Sequence, residues 1–198
     1  MSMGRTIGRS AQDTRRALLD AAGAAIRAKG VHASLDEIAR QAGVSKGGLI
    51  YHFASKDELI LELARDLLAF FRDSVEAELD PSDTAPGRLT RAYIRALFTP
   101  AAEESAAWEA IMLITQLMTL PAVVELVAKD TSDLQRQLTA DGLPEEVLTL
   151  VTATADGVNS APLWAARVDG DHYRRLERRL IELTRRPELW QDLPWTQD

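Results

Sequence analysis

The stretch GVSKGGLIYHF, residues 43–53, supports two incompatible readings. Its first five residues fit G-x-S-x-G, a pattern that in a hydrolase holds a serine nucleophile on a sharp strand-to-helix turn. The same residues also suit the turn and opening of a DNA-reading helix. What precedes them separates the two. Leu35, Ile38, Ala39 and Ala42 recur at helical spacing, on one face of a short helix that opens after Ser34. Gly43 closes it, because a left-handed C′ position is easiest for glycine. A nucleophile elbow needs a strand at that place. Ser45 therefore reads as the N-cap of a third helix running to about His52, with its hydroxyl near a phosphate.

Working outward, almost every segment reads as helix. Leu18, Leu19, Ala22, Ala25 and Ile26 mark a first helix that Lys29 and Gly30 end, with Ser10 or Thr14 as its cap. Ser55-Lys-Asp-Glu58 is a capping box that opens a long fourth helix, over 55–79, carrying Leu59, Leu63, Leu67 and Phe70. Asp80-Pro81-Ser82-Asp83 breaks it. Further helices are expected over 89–98, 101–118, 122–139, 145–168 and 172–185. No stretch alternates as a strand does, and no internal repeat is present. The expected fold is all-α. It divides into a helix-turn-helix head over 1–56 and a helical-bundle body over 57–198, joined by the long helix.

Composition bounds the function. The 198 residues are 46% hydrophobic and 27% charged, a globular balance. Cysteine is absent, which removes disulfides, thiolate nucleophiles and cysteine-based metal sites. No cofactor is expected, and the chemistry fits a reducing cytoplasm. The opening MSMGRTIGRSAQ has no apolar core for a signal peptide or anchor. The apolar run over 111–127 is broken by Thr115, Gln116, Thr119, Pro121 and Glu125, so no membrane partner is expected. The net charge of −7 hides a split, since residues 1–56 hold nine Lys/Arg against four Asp/Glu, giving +5, and the rest give −12. A basic head on an acidic body is expected when only one end meets phosphate.

Two short helices joined by a tight glycine turn form a helix-turn-helix, whose second helix enters the major groove. Lys46 supplies a cation at the groove edge, while Gly47 and Gly48 let the backbone approach. Tyr51 and His52 offer polar aromatic tips, and Lys56 lies at the next helix start. Ser34 offers a hydroxyl at a helix N-terminus, and Arg5 and Arg9 form a basic arm for a minor groove. Phe53 reads as core.

Over residues 14–63 this pattern resembles the tetracycline-repressor (TetR) family of bacterial regulators. The resemblance rests on Ala28-Lys29-Gly30, Leu35-Asp-Glu-Ile38-Ala39, Ala42-Gly43-Val44-Ser45-Lys46, His52-Phe53 and Ser55-Lys56. It implies an α-helical homodimer with a DNA-binding head. It also implies a divergent body that pairs through its last two long helices and holds a small-molecule pocket. Ile50 stands where the family commonly has a tyrosine, so that tyrosine's phosphate contact is not carried onto it. Asp36 repels phosphate and is left out of the DNA set.

In the body, Tyr173, Leu176, Leu180 and Leu183 form a narrow apolar seam, with Arg174, Arg175, Arg178 and Arg179 outside it. Family likeness turns this into an expected homodimer interface. Asp156 and Asn159 interrupt an apolar helix that Pro162 is expected to kink. Trp108, Met112, Thr115 and Gln116 lie on adjoining faces of the central helix, within reach of Tyr93 and Phe98 if the helices pack. Together with Asp156 and Asn159 they are the candidate ligand set, suited to a neutral or cationic apolar effector. The reading is a ligand-responsive regulator, a repressor released from a palindromic double-stranded DNA operator by a small molecule. The rivals are a helical serine hydrolase using Ser45 with His52 or His172, and a helical dimer acting through protein contacts alone.

Overall fold

Local caps set the helix starts. In the computed structural model, which describes residues 10–99, 106–164 and 170–191 without the side chains of 106–108, 162, 164 and 191, the first helix α1 is Ala11–Lys29. Of its two candidate caps Ser10 is used: its hydroxyl accepts the Asp13 N–H at 3.0 Å, and the Asp13 carboxylate takes the Ser10 N–H at 3.1 Å. A 3-10 turn, Gly30–His32, leads to α2 (Leu35–Ala42), where Ser34 and Glu37 repeat the same reciprocal box. Gly43 has φ 72° and ψ 30°, the left-handed conformation expected of it. Then come α3 (Lys46–His52) and α4 (Lys56–Ala77). Ser55 accepts the Glu58 N–H at 3.0 Å, while the Glu58 carboxylate reaches one residue further back, to the Ala54 N–H at 2.8 Å.

The later helices are α5 (Arg88–Phe98), α6 (Ala106–Leu117), α7 (Pro121–Thr139), α8 (Glu145–Ser160), α9 (Gly170–Arg185) and a short α10 (Glu188–Gln191). Among the described residues there is no strand, and the chain is all-α. Proline fits the first position of α7 because its missing N–H would have no intrahelical partner there. The helix expected over 145–168 differs. It ends at Ser160 and tightens into a 3-10 turn, Ala161–Trp164, with the Ala161 N–H bonded to the Val158 carbonyl. Pro162 has no N–H to continue the ladder, so the helix stops rather than kinks. Arg5, Arg9 and the Trp108 side chain lie outside the described residues.

The packing divides into two units, one drawn from Met1–Leu67 and Leu113–Glu125, the other from Leu68–Met112 and Leu126–Asp198. In the first, α1 packs on α2 and α2 on α3. Leu18, Ile26, Ile38, Leu49, Phe53 and Leu59 are each fully buried there. A Cβ added at Gly23 of α1 would meet Leu113 at 3.3 Å, so that glycine admits the last turns of α6 closely.

In the second unit α5 is the central rod, packed on α8 and α9 and buried at every residue from Thr90 to Phe98 except Arg95. Arg91 is 0% exposed. Its guanidinium donates to both Asp83 oxygens at 2.7 and 2.8 Å, to the Pro86 and Ala85 carbonyls, and to the Thr184 hydroxyl of α9. A buried charge is tolerated only when its donors are so satisfied. The N-terminus of α5 begins at Gly87, which has no side chain to cap it. Asp141 caps it from across the unit, accepting the Thr90 N–H at 2.7 Å and the Thr90 hydroxyl at 2.9 Å.

Candidate functional site

Helix α3 presents two unlike faces. At about 100° per residue, Lys46, Ile50, Gly47 and Tyr51 follow one another around its outer side, and all four are exposed. Leu49, at 0% exposure, anchors the inner side, and Phe53 at the C-cap is equally buried. Tyr51 stands 85% exposed, its ring edge-on to His52 at 5.3 Å between centroids. His52 is half-buried, and its carbonyl accepts Arg15 Nη1 at 3.1 Å. Ser45 caps the helix as expected, its hydroxyl accepting the Gly48 N–H at 3.0 Å. The element before it is α2, a helix, so the strand that a nucleophile elbow requires is not there.

The two glycines of α3 are not required by the fold around them. Neither has a positive φ. A Cβ on Gly47 would find only the Ser45 hydroxyl, at 3.9 Å, and one on Gly48 would make ordinary contact with Ser45 and Val44 at 3.4 and 3.7 Å. Each glycine costs a helix about 1 kcal/mol relative to alanine. No contact inside the protein accounts for that cost.

The basic charge of the head is smaller than the segment 1–56 suggests. The first unit also includes Asp57, Glu58, Glu62, Asp66 and Glu125, so it holds ten Lys/Arg against nine Asp/Glu. Most of the cations are paired. Arg15 bonds Glu62 at 2.5 Å and lies 4.3 Å from the Phe53 ring centroid. Arg16 bonds Asp20 and Asp66, and their carboxylates raise its pKa further. Lys29 pairs with Glu37, whose carboxyl is lowered to about 2, first by that lysine and then by the Ser34 N–H. Lys46 sits 3.0 Å from Asp36. The Ser34 hydroxyl, expected near a phosphate, caps α2 by accepting the Glu37 N–H at 3.2 Å and donates to the Glu37 carboxylate at 3.2 Å. Arg40, exposed in the last turn of α2, and Lys56, first in α4, have no ion-pair partner among the described residues. Arg40 was missed by the sequence reading. Its signal was its place, one turn ahead of the glycine that aims α3.

The candidate ligand residues fall in both units. Tyr93, Phe98, Met112, Asp156 and Asn159 belong to the second unit, and Thr115 and Gln116 to the first. The Tyr93 hydroxyl donates to Asp156 Oδ1. Burial raises the pKa of both groups, with the Tyr93 hydrogen bond partly offsetting it at Asp156 and the Asp156 charge adding to it at Tyr93. The phenol stays protonated and donates. Phe98 is buried edge-on to Tyr173 at 6.2 Å. Met112 and Asn159 are half-buried, and Thr115 is exposed. Gln116 lines a recess of about 340 Å³ with Arg27, Val31, His32 and Thr119, and its buried Oε1 has no hydrogen-bond partner among the described residues. A larger groove of about 480 Å³ in the second unit has a floor that includes Val75, Leu79, Leu89 and Leu134. Arg72 and Asp130, 3.1 Å apart, lie along it, and none of these residues was foreseen.

Comparison with known proteins gives the family. A model described as bacterial regulatory proteins, tetR family, matches residues 18–63, and one described as tetracyclin repressor-like, C-terminal domain, matches residues 87–185. The HTH-type transcriptional regulator BetI of Rhizobium meliloti is 39% identical over 98 residues, 48% of this chain and 48% of that relative. SrpR of Pseudomonas putida, also an HTH-type transcriptional regulator, is 38% identical over 80 residues, 40% of this chain and 36% of its own. The chain spans about half the length of the curated relatives it matches. Among solved structures, the multidrug binding protein EbrR complexed with malachite green superimposes with a TM-score of 0.67 at 24% identity, over 84% of this chain and 96% of that one. A TetR-family member from Streptomyces coelicolor A3 gives 0.66 at 24%, over 85% and 98%. At these identities the likeness speaks for the fold. With a head and a body model matched in order, the second covering half of its residues, this chain belongs to the tetR family of bacterial regulatory proteins.

Proposed function

We propose that the chain is a ligand-responsive, DNA-binding transcriptional regulator, a repressor released from a palindromic operator by a small molecule. The observation that carries this reading is the outer face of α3. It spends helix stability on two glycines that no packing contact requires, and it exposes Ile50 and Tyr51 to solvent. A surface of that kind makes sense when another body closes on it. Lys46 and Lys56 neutralise phosphates, the Ser45 hydroxyl donates to one, Gly47 and Gly48 admit the DNA backbone, and Tyr51 and His52 meet the groove. Ser34 holds the start of α2 in register.

The chain acts as a homodimer through α8 and α9. The apolar seam of α9 packs largely on its own unit, around Leu180. The dimer therefore rests on the outer face of α8, where Ala153 and Gly157 are exposed and a Cβ at Gly157 would meet nothing within 4 Å. A two-fold pair presents its reading helices about 34–36 Å apart or more. The effector binds in the body near Tyr93 and Asp156 and is neutral or cationic and apolar. EbrR's complexes with malachite green and with ethidium support an organic effector. Such a ligand needs only different affinities for the DNA-competent and released states.

Gly47→Ala separates this reading from a purely structural role for α3. Alanine raises the unfolding free energy by about 0.5–1 kcal/mol, while affinity for duplexes selected by the wild-type protein falls. A variant that is more stable and binds those duplexes as well as wild type would refute the reading, as would failure to select any duplex.

A further inference from the structure

The geometry points to Ile50 as the specificity-determining side chain of α3, packing its methyl groups against the C5-methyl of a thymine in each half-site. This inference rests on the DNA-binding reading above and adds the chemistry by which bases are chosen.

The argument begins with what α3 lacks. Its seven residues, Lys46-Gly47-Gly48-Leu49-Ile50-Tyr51-His52, contain no arginine, asparagine or glutamine. Together with lysine, these are the side chains that read guanine or adenine through paired hydrogen bonds. Of the polar groups present, Lys46 is held by Asp36 at 3.0 Å and lies in the first turn. His52 lies off the middle of the outer face, half-buried with its ring edge-on to Tyr51. The middle of the outer face is therefore Ile50 with Gly47 beside it. Ile50 is 41% exposed, although a branched aliphatic side chain gains nothing from water.

In the major groove, the apolar feature of a base edge is the thymine methyl group. Gly47 follows Ile50 around the helix and adds no side chain of its own. It clears the path that lets a short, branched residue reach the base edge. Tyr51 closes the far side of this notch, its ring braced edge-on by His52. Lys46 flanks the near side, and Arg40 and Lys56, which have no ion-pair partner among the described residues, lie within the same unit. An apolar notch with Lys46 at its edge, and two further cations in the same unit, complements a methyl-bearing edge between two phosphate strands. A flat apolar partner would leave those cations desolvated and unpaired.

The test uses the full-length chain and a duplex obtained by selection from a random pool. Deoxyuridine, which lacks only the C5-methyl, replaces thymine one position at a time, and affinity is read by fluorescence anisotropy at fixed salt. At one thymine per half-site, loss of the methyl weakens wild-type binding about fourfold, the factor expected for one buried methyl group. Ile50→Ala binds the thymine duplex more weakly and no longer distinguishes thymine from uracil there, while Ile50→Val keeps the preference. The positional effect must vanish with the side chain, which a general loss of folding does not produce. If every thymine can be replaced without weakening wild type, or if Ile50→Ala stays as sensitive as wild type, the inference is overturned while DNA binding stands. If no duplex is selected at all, both fall together.

Discussion

Lys46 and Asp36 stand 3.0 Å apart on exposed surface, with more than half of each side chain open to water. Such a pair is worth about 0–1 kcal/mol, little enough for a phosphate to displace. In the proposed complex Asp36 then remains as an uncompensated anion beside the DNA. Asp36→Asn is expected to tighten duplex binding about two- to fivefold and to steepen the salt dependence by about one unit per freed lysine. Anisotropy titrations at several salt concentrations check both, and an unchanged slope would mean that Lys46 does not reach phosphate. Glu37 gives a second prediction at this scale. Its carboxyl falls from 4.5 to about 2 because Lys29 and the Ser34 N–H favour the charged form. A depressed carboxyl contributes stability that is complete above its unfolded value of 4.5 and disappears as pH falls through about 2. Glu37→Gln should therefore be less stable than wild type near pH 6, with the gap closing between pH 4.5 and 2. Acid titrations followed by circular dichroism read it directly, and a gap that persists at the acid end would contradict the assignment.

At the scale of elements, α5 depends on its neighbours for both its cap and its charge balance. Asp141 caps its start from 51 residues away, and Arg91 ties it to the loop at Asp83 and to α9 through Thr184. Asp83 is held ionised, its carboxyl lowered chiefly by Arg91. Arg91→Met leaves that buried carboxylate with Arg185, at 3.4 Å, in place of its close bidentate partner and should cost about 3 kcal/mol of stability, the low end for a broken buried pair. Adding Asp83→Leu to the same chain should recover most of the loss, because an apolar pair of similar volume is often tolerated. Urea unfolding of both variants decides between a paired charge and a general packing defect. The helix starts at Ser10, Ser34, Ser45 and Ser55 were legible in the sequence, since each cap acts within three residues. Arg91's burial was not, because nothing in RLTRAYIRALF marks which arginine turns inward.

For the molecule as a whole, the testable issue is the proposed homodimer. Gly157 on the outer face of α8 has open space around its Cβ position, so a single protomer accommodates a side chain there. Gly157→Arg should leave helix content and the unfolding transition of the protomer intact. It should convert a dimer to a monomer in sedimentation velocity and weaken binding to a palindromic duplex far more than to a half-site. A variant that remains dimeric would move the interface off α8. The apolar seam of α9 taught a related lesson. Its spacing predicted a helix with one apolar stripe, which is observed, but could not say whether that stripe meets a second chain or its own core. Much of it meets its own core, around Leu180.

The features that operate over a few residues were set by the sequence alone: all-helical character, the capping serines, the left-handed Gly43, and the family to which the head belongs. Only the tertiary structure decided which charges cancel. Arg15 finds Glu62 47 residues away and Arg91 finds Thr184 93 residues away. The apparent +5 of the head is reduced by acids of α4 that a boundary at residue 56 had assigned elsewhere. Periodicity and capping are properties of neighbouring residues, whereas electrostatic pairing depends on distances that exist only after the helices have packed.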